Sequence, residues 1–171
     1  MKPPRALFEQ HGQGTDVWLT PPDLLAALGS FDLDPCACSE PRPWPTATRH
    51  ICRPDDGLTA EWSGRVWLNP PYSEANRWLA RLAAHGQGMA LISARVETSW
   101  FFEHVWESAS AILFIKGRVQ FWRGDGRPSL RNGSSSPSVL VAYGPEDAAR
   151  LKTCGIPGAY IPLGDDLEGA A

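Results

Sequence analysis

The sequence predicts a single-domain α/β fold whose abbreviated, mainly parallel sheet carries an antiparallel C-terminal strand. The chain has 171 residues, 43% of them hydrophobic, which suits one domain with a full core. Short apolar runs typical of strands alternate with segments of helical periodicity, an order that favours a doubly wound sheet. Only about 35 residues separate two predicted strand ends, Asp34 and Asn69. Since one crossover unit takes roughly 30 residues, the sheet is expected to be short.

The N-terminal half supports this order. Residues 1–14 lack periodicity and are predicted to form a flexible arm before an ordered domain at 15–145. A helix is expected at 21–28, because proline is tolerated in the first turn and Gly29 can end it. Two strands are expected at 31–34 and 65–68, the second ending before a pair of prolines.

The C-terminal half continues the alternation. Residues 118–121 and 138–143 are predicted to pair as antiparallel strands around a loop rich in Gly, Ser and Arg. A short helix at 146–154 and an acidic tail complete a C-terminal segment, 146–171. The remaining predicted elements are helices at 73–85, capped by Ser73, and 97–108, with strands at 89–92 and 111–115.

Composition excludes several classes of protein. The formal net charge is −3, so no overall basic field attracts nucleic acid or anionic lipid, and a polyanion needs a local patch. The chain has no apolar run long enough to cross a membrane and no apolar stretch of a secretory signal near its start. Four cysteines are too few for a disulfide framework. These features predict a cytoplasmic protein without membrane contact.

The tetrapeptide Asn69-Pro70-Pro71-Tyr72 follows an apolar strand and carries the clearest chemical signal. The prolines restrict the backbone, so the Asn69 amide and the Pro70 carbonyl can face one small volume at little entropic cost. Both groups can accept hydrogen bonds from one amine. A planar exocyclic amine is a poor nucleophile, and two acceptors on its hydrogens favour its pyramidal, reactive form. Tyr72 adds a face for stacking.

The residues around this tetrapeptide resemble those of phage-type, Dam-like DNA N6-adenine methyltransferases, which use S-adenosylmethionine and carry an NPPY motif. The resemblance covers residues 16–143. The matching segments are Trp18-Leu19-Thr20-Pro21, Leu33-Asp34-Pro35-Cys36-Ala37, Asp56-Gly57-Leu58 with Trp62, Gly64-Arg65-Val66-Trp67, the tetrapeptide with its flanks, and residues 94–101 and 114–121.

The resemblance implies a Rossmann-like methyltransferase fold and methylation of the exocyclic N6 amine of adenine in double-stranded DNA, with the target base flipped out of the stack. Asn69 and Pro70 would hold the amine, Pro71 would fix the turn and Tyr72 would stack on the base. Displacement would be in line, without a covalent enzyme intermediate. The motifs do not set the oligomeric state, and a monomer suffices.

The resemblance also implies a set of contacts to S-adenosylmethionine. Asp34 would pair with the ammonium group of the cofactor. The family pattern assigns the other cofactor contacts to Trp18, Thr20, Pro21, Cys36, Ala37 and Asp56. The chain departs from broader methyltransferases here, because Pro35-Cys36-Ala37-Cys38 replaces their Gly-rich turn.

A local basic patch predicts contacts to DNA phosphates. Residues 111–140 contain five basic residues and one acidic residue, a local charge of five minus one, or +4. The predicted DNA-binding residues are Arg95, Lys116, Arg118, Arg123, Arg127 and Arg131. Residues 118–136 are expected to read a short target sequence.

Two further questions stay open at this point. Four potential zinc ligands lie close together in the sequence: Cys36, Cys38, His50 and Cys52. Only one residue separates the two members of each pair, a spacing that suits tetrahedral coordination of one zinc ion poorly, so no metal is predicted. Asn-Pro-Pro-Tyr also occurs in methyltransferases that act on cytosine N4, RNA guanine or protein glutamine. A non-catalytic DNA-binding module of the same fold is a further alternative.

Overall fold

The computed structural model describes residues 18–129, 134 and 136–164. Its strands are β1 (Trp18–Leu19), β2 (Leu33–Asp34), β3 (Arg49–His50), β4 (Val66–Leu68), β5 (Gly88–Ser93), β6 (Ala111–Ile115), β7 (Trp122–Arg123), β8 (Ser138–Tyr143) and β9 (Gly158–Pro162). Its α-helices are α1 (Pro22–Leu28), α2 (Ala75–His85), α3 (Ser99–Phe101) and α4 (Pro145–Thr153). None of the helices in this part of the chain has the length and apolar character needed to cross a bilayer.

Seven of these strands form a mixed sheet in the order β3-β2-β4-β5-β8-β6-β9. The neighbours from β3 to β5 are parallel, whereas β8 lies antiparallel between β5 and β6. Strand β6 therefore runs in the same direction as β5, and β9 is antiparallel to it at the edge. The predicted α/β class is confirmed, and so is the antiparallel strand near the C-terminus.

Both faces of the sheet are covered, and its central strands β5 and β8 consist mainly of apolar residues. All residues of β5 and β8 are buried. Alternate residues point to opposite faces, so Ile92 packs with α2 and α3 while Leu91 packs with α1 and α4. The helix α2 ends at Gly86, whose φ of 76° is left-handed and favours glycine. The helices cover the two faces of the sheet and leave open the edge at which the parallel strands end, where α/β sheets bind their ligands.

The predicted pairing of residues 118–121 with 138–143 is wrong. Both edges of β8 are already occupied by β5 and β6. Residues 118–121 instead form an irregular segment, and the following strand β7 pairs with β1 in a separate two-stranded ribbon. The apolar side chains of Val119 and Phe121 that suggested a strand are buried against the α1 and α4 face of the core.

Other predicted boundaries also change. The helix expected at 97–108 is one α-helical turn, α3, followed by a π-helical turn at Phe102–Trp106. A 3-10 turn at Tyr72–Glu74 precedes α2, so Ser73 lies inside that turn and does not cap the helix. Strands β1, β3, β7 and β9 were not predicted from the sequence. Strands β1 and β3 contain two residues each, too few to show a period of two.

Arg65 and Asp147 form a buried ion pair between two segments that lie 82 residues apart in the chain. The Arg65 Nε donates to the Asp147 carboxylate at 2.5 Å, and the two side chains are 9% and 1% exposed. The guanidinium also donates to the carbonyls of Leu28 and Ser30 and lies 4.0 Å from the Phe31 ring centroid. The pair therefore links the C-terminal end of α1 and the start of β4 to α4.

We predict that Asp147→Ala lowers the free energy of unfolding by about 3–5 kcal/mol, because it leaves the Arg65 charge buried without its partner. Urea denaturation followed by tryptophan fluorescence measures the change. The matched control is Glu74→Ala, which breaks an ion pair with Arg77 whose side chains are 40% and 65% exposed. It should cost less than about 1 kcal/mol. An equal loss of unfolding free energy in both variants contradicts the conclusion that the buried pair of Arg65 and Asp147 stabilises the fold.

Candidate active site

A cavity of about 1570 Å³ lies where β2 and β4 end. The two strands are parallel neighbours, with Leu33 in register with Val66, so residues after both strands meet at one edge. Most of the residues predicted for the site line this cavity: Trp18, Thr20, Asp34, Cys36, Ala37, Asp56, Asn69, Pro70, Pro71 and Tyr72. Pro21 is not in the wall; its carbonyl instead accepts from Leu25 N in the first turn of α1.

The Asn69 side chain is held by the N-terminal segment of the described chain. Its Nδ2 donates to the Trp18 carbonyl at 3.2 Å and to the Thr20 hydroxyl at 3.3 Å. Within the described residues no group donates to Asn69 Oδ1 or to the Pro70 carbonyl. Asn69 and Pro70 both line the cavity, and neither of the two predicted acceptor oxygens has a protein donor in this part of the chain.

The two prolines and Tyr72 turn the chain away from the sheet. Pro70 is buried, and Pro71 has φ −54° and ψ 132°, an extended conformation that proline favours. Tyr72 begins the 3-10 turn and is 47% exposed, so its ring is accessible from the cavity side. Partial burial raises the pKa of the Tyr72 hydroxyl, while a hydrogen bond to Ser93 opposes this shift. The phenol therefore stays neutral.

Asp34 is a buried carboxylate at the end of β2. It is 4% exposed and accepts hydrogen bonds from Cys36 N at 3.1 Å and from the Thr46 hydroxyl at 2.5 Å. Burial raises the pKa of Asp34 to about 6, although these bonds and the nearby Arg42 charge lower it. Such a carboxylate favours a positively charged ligand, because a cation stabilises the ionised form that burial penalises.

The loop that carries Asp56 packs directly on the loop that follows Asp34. A side chain at Gly57 would lie 1.8 Å from the Pro35 carbonyl, so this close approach requires glycine. The loop is fixed by a hydrogen bond from Trp62 Nε1 to Gly57 O at 2.7 Å. Asp56 is exposed, and its Oδ1 accepts from Leu58 N at 2.9 Å, which leaves the other carboxylate oxygen for a ligand.

The described members of the predicted basic set lie outside the cavity wall. The β1–β7 ribbon brings Arg123 into register with Trp18 and so places one arginine at the border of the cavity. Arg95 follows β5 and makes no salt bridge with a described carboxylate. The exposed members of the set are Arg95, Lys116, Arg118, Arg123 and Arg127. Arg131 lies outside the described residues.

The cysteines and His50 do not form a metal site in the part of the chain that the structure describes. His50 Nε2 accepts from Thr46 N at 3.1 Å, so its lone pair is already used. Burial, and then the neighbouring Asp34 carboxyl, raise the pKa of the Cys36 thiol well above its usual value. Cys36 therefore lies beside Asp34 as a protonated thiol.

Three residues that the sequence analysis missed also contribute to the cavity. Arg42, Thr46 and Phe121 line it, and Thr46 bonds directly to Asp34. Arg42 and Thr46 belong to a proline-rich stretch without periodicity. The sequence does not identify Thr46 as a hydrogen-bond donor to Asp34, because the position of its hydroxyl depends on how the loop returns to β3.

The chain was compared with known proteins. Residues 9–153 match the model of the DNA N-6-adenine-methyltransferase (Dam) family, which is well over half of the chain. The chain belongs to this family.

The Dam-family assignment agrees with a curated relative. A DNA N-6-adenine-methyltransferase of Escherichia phage T1 is 29% identical over 112 residues, which cover 59% of this chain and 45% of that protein. The chain thus spans less than half of the length of this relative. No solved structure matches the chain. The resemblance predicted from the NPPY tetrapeptide and its neighbouring motifs is confirmed at the level of the family.

We predict that Asp34 makes the protein less stable as the pH rises from 4 to 7. Its pKa is about 6 in the folded state and 3.8 when exposed, so the folded state holds an extra proton between these values. The free energy of unfolding should fall by roughly 2 kcal/mol over this range. Asp34→Asn should remove most of this slope, as measured by urea denaturation at pH 4, 5, 6 and 7. An unchanged slope in the variant contradicts the shifted pKa.

Proposed function

We propose that this chain transfers a methyl group from S-adenosylmethionine to the N6 amine of adenine in double-stranded DNA. The observation that carries the proposal is one cavity that contains both Asn69, with an acceptor oxygen unused by described residues, and the buried carboxylate Asp34. A cation site and an amine site in one cavity match the two substrates of this reaction. Membership of the Dam family supports the choice of adenine in DNA.

The cavity residues fit the cofactor in charge and in size. S-adenosylmethionine supplies an electrophilic methyl group on a sulfonium, and it also carries an ammonium. We propose that Asp34 pairs with that ammonium and that Asp56, with its free carboxylate oxygen, accepts from the nucleoside end. Trp18, Cys36 and Ala37 complete the cofactor wall. The cavity is larger than the roughly 300–1,000 Å³ of a typical ligand site, so it has room for a nucleobase as well.

The Asn-Pro-Pro-Tyr corner supplies the amine site. In our proposal, Asn69 Oδ1 and the Pro70 carbonyl each accept one hydrogen of the adenine amine. These bonds localise the nitrogen lone pair and orient it, and they strengthen as positive charge develops on the nitrogen. The N–CH₃ bond would form as the bond from the methyl group to the sulfonium sulfur breaks, and the methylated nitrogen would then release its extra proton to solvent. Pro71 restricts the backbone of the turn, and the Tyr72 ring stacks on the flipped base. The neutral phenol adds no charge against the base.

The exposed basic residues support a DNA substrate. Arg123, held beside Trp18 by the β1–β7 ribbon, is placed to contact a phosphate next to a base that enters the cavity. We assign further phosphate contacts to Arg95, Lys116, Arg118 and Arg127. Such contacts offset the net charge of −3, which would otherwise repel DNA.

The arrangement of the sheet supports a Rossmann-like methyltransferase fold, because parallel strands place the ligand site at their carboxyl ends and an antiparallel strand lies among the later strands. Cys36, Cys38, Cys52 and Cys154 are free thiols. A DNA substrate and reduced thiols fit the cytoplasmic location predicted from composition.

We predict that the purified protein forms N6-methyladenine in unmethylated duplex DNA and that Asn69→Ala lowers kcat at least 100-fold, since it removes one of two acceptors of the reacting amine. Transfer of a labelled methyl group followed by nucleoside mass spectrometry measures both effects. Affinity for S-adenosylmethionine, measured by calorimetry, should change little in Asn69→Ala and fall strongly in Asp34→Ala.

Asn76→Ala is the matched control for this experiment. Asn76 is exposed on α2, outside the cavity wall, and its Oδ1 bonds to His104. This variant should keep the activity of the unaltered protein. The proposal is wrong if the product is N4-methylcytosine, if Asn69→Ala methylates adenine as fast as the unaltered protein, or if no cofactor binds at millimolar concentration.

A further inference from the structure

We propose that Thr20 is a positioning residue whose hydroxyl, together with the Trp18 carbonyl, fixes the Asn69 amide in the orientation that offers Oδ1 to the substrate amine. This inference rests on the proposed function, because it concerns how the acceptor side chain is oriented. It assigns to Thr20 a role different from the cofactor contact that the family resemblance implies.

The orientation of the Asn69 amide follows from the chemistry of its partners. A backbone carbonyl can only accept, so the group that faces the Trp18 oxygen at 3.2 Å must be the NH₂ group. The second contact, to the Thr20 hydroxyl at 3.3 Å, uses the other amide hydrogen. Both hydrogens are occupied, and Oδ1 remains as the acceptor.

The two partners are themselves fixed by packing. Thr20 is 2% exposed, and its carbonyl accepts from Trp44 Nε1 at 3.1 Å. The Trp44 ring packs edge-on against Trp122 with ring centroids 5.4 Å apart, and Trp122 is in register with Leu19 in the β1–β7 ribbon. The Thr20 hydroxyl is therefore held by tertiary contacts and not by solvent.

Without these two hydrogen bonds, the Asn69 amide would offer its acceptor oxygen to the substrate amine in a smaller fraction of the protein. Rotation by 180° about the last side-chain bond exchanges the oxygen and the NH₂ group at almost no steric cost. The rotated amide would present a donor to an amine that needs an acceptor. Two donated hydrogen bonds to fixed acceptors disfavour this rotamer, so Thr20 raises the fraction of protein with a competent Asn69.

The cofactor-contact and positioning roles of Thr20 predict different kinetics. A cofactor contact, when lost, weakens binding of S-adenosylmethionine. A positioning residue, when lost, lowers kcat and leaves the affinity for the cofactor and the KM for DNA nearly unchanged. Thr20→Val keeps the shape of the side chain and removes the hydroxyl, whereas Thr20→Ser keeps the hydroxyl.

We expect Thr20→Val to lower kcat about 3- to 10-fold, the effect of one neutral hydrogen bond. Cofactor affinity and KM for DNA should stay within about twofold, and Thr20→Ser should restore most of kcat. The control is Thr153→Val, which removes an exposed hydroxyl at the end of α4 and should have no effect. Thermal unfolding of each variant identifies any loss that comes from instability.

A second measurement does not depend on catalysis. The chain contains three asparagines, Asn69, Asn76 and Asn132, so ¹⁵N-asparagine labelling gives three side-chain NH₂ signals, and Asn69→Ala assigns one of them. The Asn69 NH₂ hydrogens should exchange slowly with solvent in the unaltered protein and in Thr20→Ser, and clearly faster in Thr20→Val.

The inference is overturned if the Asn69 signal is the same in Thr20→Val as in the unaltered protein, or if that variant loses cofactor affinity at normal kcat. Absence of adenine methylation by the unaltered protein overturns the proposed function instead, and the NMR result then still decides whether Thr20 orients the Asn69 amide. The two failures are therefore distinguishable.

Discussion

The parallel pairing of β2 with β4 is the constraint on which the candidate site depends. Leu33 and Val66 are in register, so the chain leaves the sheet after Asp34 and after Asn69 at the same edge. A buried carboxylate and an amide acceptor then share a cavity without any long loop to bring them together. A shift of this register would separate the proposed cation site from the proposed amine site, even if each loop kept its own conformation.

The local pattern of apolar residues was sufficient to predict the strands at the centre of the sheet. The strand predicted at 111–115 has the observed bounds, and those predicted at 65–68 and 89–92 differ only by a residue at one or both ends. Apart from Arg65, the residues of these segments are apolar, which is typical of strands covered on both faces. The restriction that Pro70 and Pro71 place on the backbone also operates within a few residues, so the predicted corner needed no knowledge of the fold.

Contacts between distant segments could not be predicted in the same way. Strand β1 pairs with β7 across about one hundred residues, and neither strand has more than two residues to reveal a pattern. The Trp18 carbonyl and the Thr20 hydroxyl reach Asn69 only because this ribbon forms. The family resemblance placed Thr20 near the site, but its bond to Asn69 depends on tertiary packing. The hydrogen bond from the Thr46 hydroxyl to Asp34 also depends on tertiary packing.

The proposed chemistry requires that Asn69 and Pro70 present two acceptors to one aromatic amine. A crystal structure of the protein with an adenine-containing duplex and a non-reactive analogue of S-adenosylmethionine tests it most directly. We expect the N6 nitrogen to lie about 3 Å from both Asn69 Oδ1 and the Pro70 oxygen, with the base against Tyr72. A bound base whose N6 contacts neither oxygen, or an Asn69 amide turned with its NH₂ group toward the base, would contradict it.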